Sequence, residues 1–330
     1  MRIITEAEDL ATFAAWRADP VFAAGEAHPR YGAFGRTYYP KIYGEGRRSA
    51  SFAVVDDSQP LLLVACTTGA GKLDWFGMPL CLFARADIAP KAGRAAIKAA
   101  FGHLDSILAE QNLTDISVLD DQSAGTLSFV GEQCLNRRLA ARPRLTAIAD
   151  LSDGEAGLRK GLRKSFKSLL NWGRTNLDLR MVNSANPDRA DFDRFQAFHR
   201  RVAGRDTRPQ ESWDAMFHWL AGGGGELILA TLDGDLVGGT MVLDGQIFAA
   251  YGSGVYDRDR FDKPMAHWPL WVAMLRAGER RLQRFALGEI PLNGTVGPKE
   301  FNIGYFKQGF ATSIKNELIW KPVRDNQNDS

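Results

Sequence analysis

The stretch Leu227-Ile-Leu-Ala-Thr-Leu-Asp-Gly-Asp-Leu-Val-Gly-Gly-Thr-Met-Val-Leu-Asp-Gly-Gln-Ile-Phe-Ala-Ala-Tyr-Gly-Ser-Gly254 decides the class of fold. Its apolar residues fall in three short runs, 227–232, 236–243 and 247–252, parted by Asp233-Gly234 and Asp244-Gly245. Runs of that length bounded by dipeptides that accept positive φ predict a meander of three strands. Four glycines at 222–225 separate it from what precedes. Helical spacing is expected at 192–202 and 211–220, the second announced by Pro209, and again at 265–282. A strand at 285–289 follows, then a loop with Asn293-Gly294 and Pro298, a short helix at 301–308 and a closing strand at 314–320. Upstream, Leu158, Leu162, Phe166 and Leu169 fall on one face of a helix expected at 158–172, ahead of a strand at 177–182.

The first 150 residues show the same grammar. Apolar runs at 51–56 and 61–66 flank Asp-Asp-Ser-Gln-Pro, a hairpin signal. A third strand is expected at 73–83, interrupted by Gly-Met-Pro. A helix at 88–111 with Asp87 as its N-cap, a strand at 115–119, a helix at 125–139 and a strand at 145–151 complete this half. The pattern breaks near 151–157, so the expected organisation is α/β (α+β) in two similar modules, 1–152 and 153–330, each a mixed central sheet flanked by helices.

Composition narrows the function. The chain has 330 residues, 45% hydrophobic and 24% charged, which is ordinary globular usage. Its 41 basic and 39 acidic residues nearly cancel, so a protein that chiefly coats DNA is not expected. The longest apolar run, at 61–66, is far below the roughly 18 residues a spanning helix needs. Acidic residues occupy the place of a signal peptide's apolar stretch, so a cytoplasmic location is expected. Three cysteines, Cys66, Cys81 and Cys134, are expected as reduced, buried thiols. The five histidines, His28, His103, His199, His218 and His267, lack metal-ligand spacing, and no metal is expected. No Walker loop, Gly-x-Gly-x-x-Gly fingerprint or Gly-x-Ser-x-Gly elbow occurs.

Several segments of the second half together resemble a known group. The basic helix beginning Leu158-Arg-Lys-Gly-Leu-Arg-Lys-Ser-Phe-Lys-Ser-Leu-Leu-Asn-Trp-Gly is similar to the one that opens the second domain of Fem-type aminoacyl transferases and CelD-like acetyltransferases. Ala250-Tyr-Gly-Ser-Gly254, the helix at 264–276 and the strand Phe285-Ala-Leu-Gly-Glu289 follow in the order of those proteins. Gly304-Tyr-Phe-Lys-Gln-Gly-Phe310 resembles their terminal Phe-Lys-x-x-Phe signature. The resemblance implies two tandem GNAT-like modules and transfer of an acyl group to an amine of an amino sugar, amino acid or peptide, in building a cell envelope or exopolysaccharide. No tightly bound cofactor is implied. Acyl-CoA is the implied co-substrate, and aminoacyl-tRNA the alternative donor. A non-catalytic binding protein on the same fold is a further alternative. The chain departs from the acetyl-CoA form of the fold at 255–266, where Arg258, Arg260 and Lys263 replace a glycine-rich pyrophosphate loop.

The chemistry selects candidates. Attack by an amine needs a neutral nitrogen, donors for the oxyanion and two substrates held together. Tyr251 supplies a proton donor, Gly252 and Gly254 permit close approach of the backbone, and Ser253 adds a hydroxyl. By the resemblance Lys307, between Phe306 and Phe310, contacts the acyl oxygen or a phosphate-bearing acceptor. Glu289 at a strand end suits proton acceptance, and His267 a base near neutral pH. Arg205 and Arg208 suit bidentate binding of carboxylate or phosphate. Lys299, Asn302 and Tyr305 precede Lys307 and are expected around ligand, and Arg163 belongs to the basic helix that the resemblance sets near an acceptor.

Overall fold

The computed structural model describes residues 1–22, 29–122, 125–292, 294 and 296–323, which leaves His28 and Asn293 outside the described residues. Along the chain come β1 (Arg2–Thr5), α1 (Leu10–Ala18), α2 (Ala33–Tyr43), β2 (Arg48–Ser49), β3 (Phe52–Asp56), β4 (Gln59–Ala65), β5 (Thr67–Gly69), β6 (Lys72–Asp74) and β7 (Leu80–Ala84). Next are α3 (Pro90–Glu110), β8 (Asp115–Ile116), β9 (Val118–Asp121), α4 (Phe129–Asn136), β10 (Leu139–Asp150), α5 (Gly154–Gly161), α6 (Phe166–Asn176) and β11 (Asp178–Val182). The remainder is α7 (Arg189–Ala203), α8 (Gln210–Ala221), β12 (Gly225–Leu232), β13 (Asp235–Asp244), β14 (Phe248–Tyr256), α9 (His267–Glu279), β15 (Arg284–Ile290), α10 (Pro298–Gln308) and β16 (Ser313–Pro322).

The chain forms two compact units. One comprises Met1–Glu26, Tyr43–Arg144 and Lys315–Ser330, the other Ala27–Ile42 and Leu145–Ile314. The division thus falls inside β10, earlier than the loop at 151–157, because a strand carries no composition break where its neighbours change. The assignment of the ends also differs from a simple 1–152 and 153–330 division: 27–42 joins the second unit and the strand after Ile314 returns to the first.

In the first unit the strand order is β1, β3, β4, β7, β9, β16, antiparallel except for β7 with β9. The β3–β4 hairpin turns through Asp57 and Ser58, both with positive φ, as a type I′ turn requires. Phe52, Val54 and Leu62 of the sheet are buried with Ala96, Ala100, Phe101 and Leu104 of α3, each large side chain contributing roughly 1.5–3 kcal/mol. β2, β5, β6 and β8 form a separate small sheet. The third expected strand is therefore two, β6 and β7, in different sheets, divided where Phe76 and Gly77 take positive φ. Asp87 is not the N-cap of α3. Ala89 occupies that place ahead of Pro90, and the Asp87 carboxylate accepts from Arg85 at 2.9 Å. The cysteines are free; Cys66 and Cys134 are buried and Cys81 half-buried.

In the second unit the order is β10, β15, β14, β13, β12, β11. All pairs are antiparallel except β14 with β15, which are joined by the crossover through α9. One face is covered by α5, α6 and α9 through Leu158, Phe166, Leu170, Leu270 and Trp271. The other is covered by α7, α8 and α2 through Phe192, Phe195, Trp213, Met216 and Phe34. The helix expected at 158–172 is two. Leu162 is extended and ends α5, and the chain re-enters helix at Phe166. An unbroken apolar stripe hid that break, since Leu158, Leu162 and Phe166 are all buried regardless.

Candidate functional site

The site grows from one irregularity of the second sheet. β14 and β15 pair in parallel only at Phe248 with Arg284, Ala249 with Phe285 and Ala250 with Ala286. Beyond Ala250, β14 keeps β13 and β15 keeps β10, but they no longer pair with each other. Each strand carries an extra residue at the fork. Met241 and Val242 face Ser253 and Tyr251, so Gly252 is unmatched; Ala147 and Ile148 face Gly288 and Ala286, so Leu287 is unmatched. Bulges of this kind bend a strand and raise its twist, which accounts for the divergence. Among the described residues, the edge of β14 from Tyr251 to Tyr256 has no strand partner on the β15 side, so backbone N–H groups that point there are placed to meet a ligand oxygen.

A cavity of about 850 Å³ opens beside this edge. β14 contributes Tyr251, Gly252, Ser253, Gly254 and Tyr256. The segment into α9 contributes Arg258, Phe261, Lys263 and His267; α7 contributes His199 and Val202; α10 contributes Lys299, Asn302, Ile303, Phe306 and Lys307. The wall carries four lysine or arginine side chains and, among the described residues, no carboxylate. The first turn of α9 reaches the wall and has no side-chain cap, an arrangement that favours an anion.

Lys307 is half-buried and lies over β15. A Cβ built on Gly288 would be 2.8 Å from its Nζ, and Gly288 has φ +109, a conformation side chains disfavour. Burial, foremost, and the Arg30 charge lower the Lys307 pKa, while Glu289 opposes them. No hydrogen-bond partner of Nζ is found among the described residues. Phe306 and Phe310 pack at 5.2 Å and hold the helix turn that carries the lysine, Phe310 being fully buried.

Tyr251 is linked to residues that the sequence did not single out. Its hydroxyl donates to Tyr256, whose hydroxyl also meets Thr240 Oγ1. Burial, foremost, raises the Tyr251 pKa well above its ordinary value and pushes Tyr256 up to about 12. The bulge at Gly252 turns Tyr251 back over its own strand, and a Cβ on Gly254 would be 1.7 Å from the Tyr251 hydroxyl. A side chain there would displace the Tyr251 hydroxyl. His267 donates from Nδ1 to the Pro264 carbonyl at 3.3 Å and packs edge-on to Phe306 at 5.1 Å. Burial lowers its pKa to about 4, so it is neutral near pH 7.

The structure gathers Tyr251, Gly252, Ser253, Gly254, His267, Lys299, Asn302 and Lys307 around the cavity. Other candidates lie elsewhere. Glu289 is exposed on β15, outside the wall. Tyr305 faces away, 54% exposed. Arg163 lies 3.7 Å over the Tyr305 ring, and its Nη2 donates to the Tyr305 carbonyl at 2.9 Å. Its amide also donates to the Gly309 carbonyl at 2.9 Å, so Arg163 clamps the end of α10. Arg205 and Arg208 line a separate cleft between α7 and α8, where Arg208 lies 4.6 Å over Trp213. Among the residues missed, Tyr256 had a signal: it follows Tyr251 on a glycine-spaced strand. Gly288, Thr240 and His199 had none.

No family model and no curated protein matches the chain. Solved structures do. FemX is similar over 97% of each chain, with a TM-score of 0.69 at 12% identity. The C-terminal domain of a putative lysylphosphatidylglycerol synthetase from Agrobacterium fabrum is similar over 94% of this chain and 92% of that one, with a TM-score of 0.58 at 13% identity. A tandem GNAT protein from the clavulanic acid biosynthesis pathway is similar over 97% of this chain and 98% of that one, also at 0.58 and 13%. The chain therefore shares the fold of FemX and of the tandem GNAT protein, the fold its second-half motifs implied. Among the described residues no cluster suits a metal ion, and no helix is long and apolar enough to cross a membrane.

Proposed function

We propose that the chain is an acyltransferase that moves an acyl group from acyl-CoA to an amine, with the β14–β15 fork as its reaction site. The observation that carries the reading is the unpaired edge of β14 with the Lys307 ammonium near it. An oxyanion gains most from donors already fixed in place, and free strand amides plus a half-buried ammonium are such donors.

In this reading the carrier phosphates meet the uncapped start of α9 with Arg258 and Lys263, and the thioester carbonyl lies against β14. The amine nitrogen attacks the carbonyl carbon, the C–N bond forms, and the C–S bond breaks. Tyr251, a protonated phenol, turns its O–H from Tyr256 to the leaving sulfur and gives it the proton. The nitrogen gives up its surplus proton to water, and the phenolate regains one from water. The positive wall lowers the acceptor amine's pKa, so a neutral nucleophile forms without a strong base.

An aminoacyl-tRNA donor is the second reading. It is favoured by the short turn Arg258–Arg260, which stands where a CoA-binding GNAT would have its glycine-rich loop. Amino sugars, amino acids and peptide amines are the acceptors to test first, in keeping with an envelope or exopolysaccharide role. Thiol release from acetyl-, butyryl- and octanoyl-CoA with a panel of such amines tests the proposal. No release from any of them, with no transfer from charged tRNA, would overturn it in favour of a binding protein.

A further inference from the structure

We infer that the transferred group is an uncharged aliphatic acyl group and not an aminoacyl group. The inference rests on the acyl-CoA reading above. Two observations carry it. First, the cavity holds large apolar side chains that water otherwise reaches: Phe261 is 66% and Ile303 45% exposed, and both line it. With Val202 and Phe306 they make an apolar stretch of wall. Exposed apolar surface at a cavity rim is recovered by an apolar ligand.

Second, the charges are of one sign. Arg258, Lys263, Lys299 and Lys307 share the wall, and no described carboxylate lines it; Asp262, 3.7 Å from the Lys263 ammonium, lies outside the lining. The acid that acts on Lys307, Glu289, stands outside the wall, and the Arg30 charge acts on Lys307 in the opposite sense. The neighbouring imidazole of His267 is uncharged near neutral pH. A carrier phosphate gains from this field, whereas an acyl group bearing its own ammonium finds repulsion and, on the wall itself, no carboxylate to pair with. The same wall thus accepts an anionic carrier and rejects a cationic cargo.

Butyryl-CoA and β-alanyl-CoA provide the test, because their acyl groups have the same shape and differ only in a terminal methyl or ammonium. Equilibrium binding of both, and of CoA, is measured on the full chain at low ionic strength. Butyryl-CoA is expected to bind at least about tenfold more tightly than β-alanyl-CoA, a gap of about 1.4 kcal/mol, and more tightly than CoA. An Ile303→Asp variant, altered at an exposed position, is expected to narrow the gap by improving β-alanyl-CoA. Equal or tighter binding of β-alanyl-CoA while CoA binds overturns the inference and leaves the CoA-dependent reading standing. No binding of any of the three overturns the carrier reading and the inference with it.

Discussion

The Lys307 ammonium occupies the space that a side chain on Gly288 would take: a Cβ built there would lie 2.8 Å from Nζ. Gly288 follows the extra residue of β15, Leu287, and pairs with Ala147. The same bulge that parts β15 from β14 therefore sets the backbone over which the lysine lies. Gly288→Ala should cost about 1–3 kcal/mol from its φ of +109 and should also push the ammonium away. Transfer should fall about as far as in Lys307→Met. Chemical denaturation beside a turnover assay checks both. Full turnover in a destabilised Gly288→Ala protein would separate the lysine from the chemistry.

The hydroxyl chain Tyr251–Tyr256–Thr240 yields a second expectation. Tyr256→Phe leaves the buried Tyr251 hydroxyl without its acceptor, at a cost of about 1–3 kcal/mol. It should lower kcat more than it raises KM, because it alters a proton donor and not the carrier contacts. Tyr251→Phe should lower kcat further. Steady-state kinetics of both variants decide the matter; equal losses confined to KM would assign the pair to binding.

How much of this was legible in the sequence depends on the physics of each signal. The meander was legible because Asp233 and Gly234 both take positive φ and their side chains advertise it. Lys307 was legible from its phenylalanine frame. The Tyr251–Tyr256 link was not, because residues five apart on a regular strand point to opposite faces, and only the bulge at Gly252 restores the parity. Arg205 and Arg208 looked like ligand-binding arginines, yet the capping turn at Gly204, with φ +70, carries them to a separate cleft. Nothing in 27–42 announced that α2 packs on the second unit, since an amphipathic helix does not name its partner.

His267 makes stability depend on pH. Its folded pKa of about 4 lies below the ordinary 6.5 because burial, foremost, and then Arg163 disfavour the charged ring, against the Pro264 carbonyl. The unfolded chain therefore binds the proton first as pH falls. The associated stability is full above 6.5 and is lost between 6.5 and 4, by up to about 3 kcal/mol. His267→Phe should flatten that part of the curve, leaving the contribution of His199, which behaves alike. Denaturation midpoints from pH 7 to 4 check this. An unchanged slope would show that His267 is not the buried group it is described as.

The positive wall predicts salt dependence. Lys299 is exposed on α10 and lines the cavity. Lys299→Gln should weaken CoA binding by about two- to fivefold, in keeping with the modest worth of exposed charges. It should also reduce the loss of affinity between low and high ionic strength. Pantetheine, which lacks the carrier's diphosphate, should bind weakly and without that salt dependence. Equal binding of CoA and pantetheine would remove the phosphates from the account.

The central claim is that the free edge of β14 receives the reacting carbonyl. Amide hydrogen exchange reads it directly, comparing the protein alone with the protein saturated by the ketone analogue of butyryl-CoA, in which a methylene separates sulfur and carbonyl. The account predicts slower exchange at the amides of residues 251–256, with those of α3 in the first unit unchanged. Saturation by the analogue with no change at residues 251–256 would contradict it.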